Sequence, residues 1–103
     1  MNNKCIDLII EDLKKYEPEK IILFGSFARG EIDEYSDIDL VIIKNEKKPF
    51  IERLGEVIMY IRKELYPVDI LVYTPDEFEE MKKNSNPFIE EVLKDGKVIY
   101  EKL

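Results

Sequence analysis

The chain has 103 residues, of which 45% are hydrophobic and 38% charged, with a formal net charge of -7 at pH 7, so we expect one domain over residues 1–103 and no separate acceptor-binding domain. The negative charge argues against extended nucleic-acid binding and against attachment to anionic membranes, since both depend on clustered lysine and arginine, and it favours a partner with a basic surface. Histidine is absent and Cys5 is the only cysteine, which excludes histidine-based triads, cysteine–histidine zinc sites and an internal disulfide bond.

The first part of the chain predicts a helix followed by two strands. Apolar residues recur at helical spacing through residues 4–16, and Pro18 ends the segment. Acidic residues interrupt this apolar pattern, so it predicts neither a secretory signal nor a membrane span, and we expect a cytoplasmic protein. The apolar run Lys20–Phe24 and the branched residues of Ile38–Ile43 predict two neighbouring buried strands, with a short helical turn over residues 26–30 between them.

The middle of the chain predicts one long helix and a third strand. A polar connection over residues 44–49 precedes the helix, and we expect its lysines to be solvated, although one of them could approach a phosphate. Apolar residues at helical spacing then run from Phe50 to Leu65, and Pro67 ends the helix. Residues 68–73, VDILVY, predict the third strand.

The last part predicts two short helices and a final strand. Thr74, Pro75 and Glu77 provide an N-cap hydroxyl, a proline at the first helical position and an acid at the third. A second helix opens at Asn86-Pro87 and can end at Gly96, after which residues 97–100 predict a strand.

The stretch FGSFARGEIDEYSDIDL, residues 24–40, carries the chemical information. Gly25 and Ser26 follow a buried strand directly, so the backbone can approach a ligand closely while free N–H groups and a hydroxyl point outward. Such an arrangement suits a phosphate group. By itself a Gly-Ser pair after a strand is more often an ordinary turn.

Asp37 and Asp39 strengthen the interpretation of a ligand site. Side chains two residues apart on a strand project from the same face, so the two carboxylates would lie side by side. They would repel each other unless a hard divalent cation lay between them. The alternative is that Asp37 caps a turn and Asp39 is a solvated strand residue.

Asp69 lies at the start of an otherwise apolar strand, where an unpaired charge is hard to explain. A third acid beside the first two would complete a metal site of the kind that serves phosphoryl and nucleotidyl transfer. The alternative is that Asp69 is an edge-strand charge that reaches solvent after Pro67.

The motif GSFARG, the later SDIDL and the VDI strand together resemble the nucleotidyltransferase superfamily that includes DNA polymerase beta and kanamycin nucleotidyltransferase. The similarity covers nearly the whole chain and is to the minimal nucleotidyltransferases, which occur with helical HEPN-domain proteins in toxin–antitoxin pairs. The resemblance implies an α+β (mixed α/β) nucleotidyltransferase fold, in which helices pack against a small mixed sheet.

The resemblance also implies roles for individual residues. Asp37 and Asp39 match the paired metal-binding acids, and Asp69 matches the third acid, which acts as the base toward the attacking hydroxyl. These three acids would hold Mg²⁺, with two ions around bound ATP.

For the triphosphate, the resemblance implicates the glycine-rich motif. Gly25 and Ser26 match the turn that contacts the triphosphate. Arg29 completes the motif, and it either contacts phosphate or pairs with an acid such as Asp33 or Glu34.

The implied activity is transfer of a nucleoside monophosphate, AMP from ATP, to a hydroxyl group with release of pyrophosphate. The resemblance suggests a tyrosine of a HEPN toxin as the acceptor, with this chain as the antitoxin; a small molecule such as an antibiotic fits less well. Two alternatives remain open: an antitoxin that masks its partner without turnover, and a sensor that binds nucleotide or metal without transfer. A homo-oligomer is compatible with the sequence.

Overall fold

The computed structural model describes residues 4–28, 30, 38–65 and 67–102, with backbone only for Ser26 and Phe27. Within those residues the chain forms, in order, α1 (Lys4–Lys14), β1 (Lys20–Phe24), α2 (Gly25–Ala28), β2 (Ile38–Ile43), α3 (Phe50–Ile58), a 3-10 turn (Lys63–Leu65), β3 (Val68–Tyr73), α4 (Pro75–Lys83), α5 (Pro87–Asp95) and β4 (Lys97–Glu101). No helix in these segments is long and apolar enough to cross a membrane.

The four described strands form one mixed sheet in the order β3-β2-β1-β4. β1 pairs antiparallel with both β2 and β4, whereas β2 and β3 run parallel. The parallel pair needs a crossover connection, and α3 provides it. This arrangement confirms the predicted α+β class and the pairing of the first two strands.

Helices cover both faces of the sheet. Alternating strand residues such as Leu40 and Ile42 pack with α1 and Val57 of α3 on one face. Their neighbours Val41 and Ile43 pack with α4 and α5 on the other. Strands that are buried on both faces explain the continuous apolar runs in the sequence.

The main helix is shorter than predicted. It ends at Ile58, and the following amides bond three residues back, as Ile61 N does to Ile58 O at 3.2 Å. The Arg62 amide instead donates to the Asp12 carboxylate at 3.0 Å. This contact with α1 draws the chain out of the helix, so the prediction of one helix to Leu65 was wrong.

Two buried charged residues, Asp12 and Arg53, join separate elements of the fold. The Asp12 carboxylate of α1 accepts two hydrogen bonds from the Arg62 guanidinium, at 2.6 Å and 2.9 Å. These hydrogen bonds lower the pKa of Asp12 below its usual value. Arg53 of α3, 5% exposed, donates to Glu77 at 2.7 Å and to the Val72 carbonyl at 3.3 Å. The Arg53 hydrogen bonds likewise lower the pKa of Glu77.

Tyr16 joins α1 to the loop after β2. Lys44 donates to its carbonyl at 2.6 Å and lies 3.7 Å from the centre of its ring, so the prediction that Lys44 is simply solvated was wrong. Among the described residues, the Tyr16 hydroxyl is a buried side-chain atom without a hydrogen-bond partner. Burial raises the pKa of Tyr16 to about 12.

The helix boundaries late in the chain agree with the sequence. Thr74 and Glu77 form the reciprocal cap of α4, with bonds of 3.1 Å and 2.8 Å. Gly96 follows α5 as predicted, yet in an extended conformation. A β-carbon at Gly96 would lie 2.2 Å from the Val92 carbonyl oxygen, so close packing requires this glycine.

Candidate functional site

The end of β1 turns sharply at Gly25. Its φ of +78° is a left-handed conformation that favours glycine. A β-carbon there would lie 2.4 Å from the Asp39 Oδ2 atom, closer than any van der Waals contact allows. Glycine is therefore needed at this position for two reasons: the turn requires a positive φ, and the Asp39 carboxylate approaches the backbone closely.

Asp39 and Asp69 are direct partners in the parallel pairing of β2 with β3. Adjacent strands lie about 4.8 Å apart, and paired residues project from the same face. The Asp39 side chain is half-buried, whereas Asp69 is exposed. Two carboxylates in this relation destabilise the sheet unless a cation or a hydrogen-bond donor lies between them.

Both acids project from the sheet face that carries α4 and α5. Asp39 lies two residues before Val41 on β2, so the two side chains are on the same face, and Val41 packs with these helices. Phe24 is paired with Asp39 across β1 and β2. The Phe24 ring packs edge-on against Phe88 of α5 at 5.4 Å between ring centres. An aromatic wall therefore borders the carboxylates on the β1 side.

The structure brings together three of the predicted site residues, Gly25, Asp39 and Asp69. Ser26 is the second residue of α2, and its side chain is outside the description. Arg29 and Asp37 lie outside the described residues. Within the described part of the chain, no group of three histidine, cysteine or acidic residues could hold a metal ion, and the pair of acids is two-thirds of the predicted ligand set.

The oxygen donors present fit a hard divalent cation. Such ions prefer carboxylate oxygens, and one or two carboxylates together with substrate phosphates commonly hold Mg²⁺. The like-charged pair and the carboxylate seated against Gly25 are the observations that favour this fit.

A groove of about 570 Å³ lies at the other end of the sheet. Its lining includes Lys20 at the start of β1, Ile43 at the end of β2 and Pro75 at the start of α4. Gly25, Asp39 and Asp69 are not part of it, so its size alone does not connect it with the predicted chemistry.

Sequence reasoning missed the aromatic wall. The sequence predicted only that Phe24 is the last residue of a strand and that Phe88 is part of the last helix. The two rings belong to elements far apart in the chain, and periodicity within one element carries no information about their contact.

Comparisons with known proteins show the family of the chain. Residues 7–103 match the family model described as "Polymerase beta, Nucleotidyltransferase". A protein of Methanocaldococcus jannaschii named "Putative protein adenylyltransferase" is 37% identical over 102 residues, covering 94% of this chain and 96% of the relative. A second protein of that name and organism is 32% identical over 114 residues, covering 99% of this chain and 76% of the relative.

Two solved structures share the fold. A crystal structure of a "putative nucleotidyltransferase" from Sulfolobus solfataricus has a TM-score of 0.56 and 22% identity, covering 99% of this chain and 91% of that one. A toxin–antitoxin structure with AMP-PNP has a TM-score of 0.64 and 22% identity, covering 93% of this chain and 73% of that one.

Proposed function

Because the chain belongs to the polymerase beta nucleotidyltransferase family, we propose that it transfers AMP from ATP to a hydroxyl group of a protein. The observation that supports this most directly is the side-by-side placement of Asp39 and Asp69 next to the strand end at Gly25. The M. jannaschii relatives named as protein adenylyltransferases support the class of acceptor.

Each residue has a separate part in the proposal. The Gly25 turn lets the triphosphate approach the backbone, with the Ser26 and Arg29 side chains as further phosphate contacts. Asp39, with Asp37, would hold magnesium together with the phosphates. Asp69 would both contribute to the metal site and accept the proton of the attacking hydroxyl.

Magnesium, when bound, would neutralise triphosphate charge and lower the pKa of the acceptor hydroxyl. The chain's own contribution is to hold the carboxylates on two adjacent strands, where neither can move independently of the sheet. The aromatic wall of Phe24 and Phe88 keeps the β1 side of the site apolar. A water-poor border of this kind strengthens electrostatic contacts with the phosphates.

We further propose that the acceptor is a tyrosine of a HEPN-domain partner and that the transfer makes this chain an antitoxin. The toxin–antitoxin structure with the same fold supports the setting. The negative charge of the chain, -7, fits a partner with a basic surface.

The first test is calorimetric titration with ATP in the presence and absence of Mg²⁺. Asp39→Asn and Asp69→Asn keep the side-chain shape and remove the charge, so each should weaken Mg²⁺-dependent binding about tenfold or more. Asp76→Asn, an exposed acid at the start of α4, is the matched control and should bind like the wild type. Wild-type binding that is unchanged by Mg²⁺ and by both substitutions would contradict the proposed site.

The second test follows the α-phosphate of labelled ATP into a co-purified HEPN partner. Label should appear on the partner with the wild type, and both Asn variants should reduce incorporation by about 100-fold. If the double variant still neutralises the toxin at wild-type concentration, masking rather than transfer is the function.

A further inference from the structure

Helix α3 has one buried side and, opposite it, a solvent-exposed side with apolar residues. Arg53 and Val57 face the core and are buried. On the opposite side lie Ile51 and Gly55 of α3 and Met59, the αR residue that directly follows the helix. Their spacing of four residues places them in a stripe roughly 80° wide. Ile51 is 75% exposed and Met59 is 84% exposed. Apolar residues on the exposed side of a helix favour a second contact besides its own core.

Gly55 lies at the centre of this stripe and is not explained by the fold. A β-carbon there would meet nothing within 4 Å, and its backbone is not left-handed. Apart from proline, glycine is the least favourable residue inside a helix. The folded chain therefore gains nothing from glycine at this position, whereas another helix could approach the backbone most closely there.

We propose that Ile51, Gly55 and Met59 form a docking stripe for an amphipathic helix of a partner polypeptide that carries basic residues beside its apolar face. The partner helix crosses α3 at Gly55, where its backbone comes closest. Ile51 and Met59 then pack against it, one helical turn to either side. This proposal concerns a surface away from the acids and holds whether or not the chain transfers a nucleotide.

The charges around the stripe define the chemistry of the partner. Glu52 is exposed on α3 and takes part in no ion pair among the described residues. Glu56, on the same side, is compensated by Lys48. Arg62, beyond the C-terminal end of α3, is already held by Asp12. Lys48 also interacts electrostatically with Glu52, so one lysine is shared by two acids beside the stripe, and the excess negative charge suits lysine or arginine.

The same charges argue against a second copy as the occupant. Each chain has a net charge of -7, so two copies would bring like charges together.

A designed peptide provides the probe. A 20-residue helical peptide with a leucine–alanine stripe flanked by lysines should bind the full chain at least about tenfold tighter than the same peptide with glutamates in place of the lysines. Met59→Gln retains size and charge but exposes an amide, and it should weaken binding about tenfold. Leu93→Gln, at a half-exposed leucine of α5, should leave binding unchanged.

Gly55→Leu separates docking from folding. Leucine improves the helix, so the Tm should rise by about 4 °C or more, while the new side chain blocks the close approach and weakens peptide binding at least about tenfold. If Gly55 were needed only for the fold, Gly55→Leu would lower the Tm instead.

Three results would overturn the proposal. They are equal binding of the lysine and glutamate peptides, wild-type affinity in Gly55→Leu, and a wild-type dimer in sedimentation that Gly55→Leu dissociates. The last result would assign the stripe to a second copy of the chain.

Discussion

At the scale of single residues, Gly25 and Asp39 depend on each other. The carboxylate can occupy its position only because residue 25 has no side chain. The same residue adopts a φ that other residues rarely adopt. A change at Gly25 should therefore alter both the backbone and the orientation of an acid on the neighbouring strand.

Gly25→Ala should destabilise the fold and abolish Mg²⁺-dependent ATP binding. The left-handed backbone costs about 1–2 kcal/mol with alanine, and the displaced Asp39 carboxylate adds to that cost. Urea denaturation and calorimetry measure the two effects. Gly30→Ala is the control for backbone strain, because Gly30 has a φ of +81° and open space around its Cα. Equal losses in the two variants would show that contact with Asp39 is unimportant.

The residues of the site were only partly predictable. Asp39 and Asp69 stood out because each acid interrupts an apolar strand, and burial makes such a charge costly. Their direct pairing depends on the register of β2 and β3, which is set by the tertiary packing. The contact of Phe24 with Phe88 depends on where α5 packs, and no local pattern indicates it.

At the scale of elements, the contact between Asp12 and Arg62 fixes where α3 ends. The carboxylate of α1, 7% exposed, accepts from both the guanidinium and the backbone amide of Arg62. It joins α1 to the segment after α3, across a sequence separation of 50 residues. The first and last residues of each strand were predictable within one residue from apolar runs and from the bordering glycine and proline residues. The end of α3 was not, because its sequence contains no local stop signal.

The same contact makes stability depend on acid pH. The Arg62 hydrogen bonds lower the pKa of Asp12 in the folded state from the ordinary value of 3.8. The charged carboxylate therefore stabilises the fold fully above the unfolded-state pKa, and this stabilisation is lost as pH falls through the lowered folded-state pKa. Urea denaturation from pH 7 to pH 3 should show the loss.

Asp12→Asn should remove this part of the pH dependence and cost roughly 1–2 kcal/mol at pH 7, because a hydrogen-bonded charge is lost. Glu11→Gln is the matched control, since Glu11 is exposed and lies 3.8 Å from the same guanidinium. A pH profile of Asp12→Asn that runs parallel to the wild type would mean that other carboxylates cause the acid sensitivity.

At the scale of the whole molecule, the acids lie on one sheet face with α4 and α5 packed farther along the same strands. The predicted class and the succession of helices and strands along the chain could be predicted from the sequence, because apolar runs alternate with helical patterns. The order β3-β2-β1-β4 did not, since strand order depends on contacts between distant segments.

Mg²⁺ and ATP should stabilise the entire domain, because a ligand that binds only the folded state shifts the unfolding equilibrium. At a ligand concentration 100 times the Kd, the gain is about 2.7 kcal/mol, and EDTA should reverse it. Asp69→Asn should lose this gain, because the carboxylate that is paired with Asp39 across β2 and β3 is gone. Thermal unfolding with and without ligand measures the gain in each protein. An Asp69→Asn protein that is stabilised as much as the wild type would contradict a role of Asp69 in ligand binding.

The pairing of β1 with β4 affects the order in which the sheet can form during synthesis. Lys20 lies opposite Glu101, so the strand that closes the sheet leaves the ribosome roughly 80 residues after its neighbour. The strands that carry Asp39 and Asp69 are synthesised earlier and can pair before it arrives. A nucleotide could therefore meet a nearly assembled site on a nascent chain, and closing so long a loop is the step that we expect to limit the speed of folding.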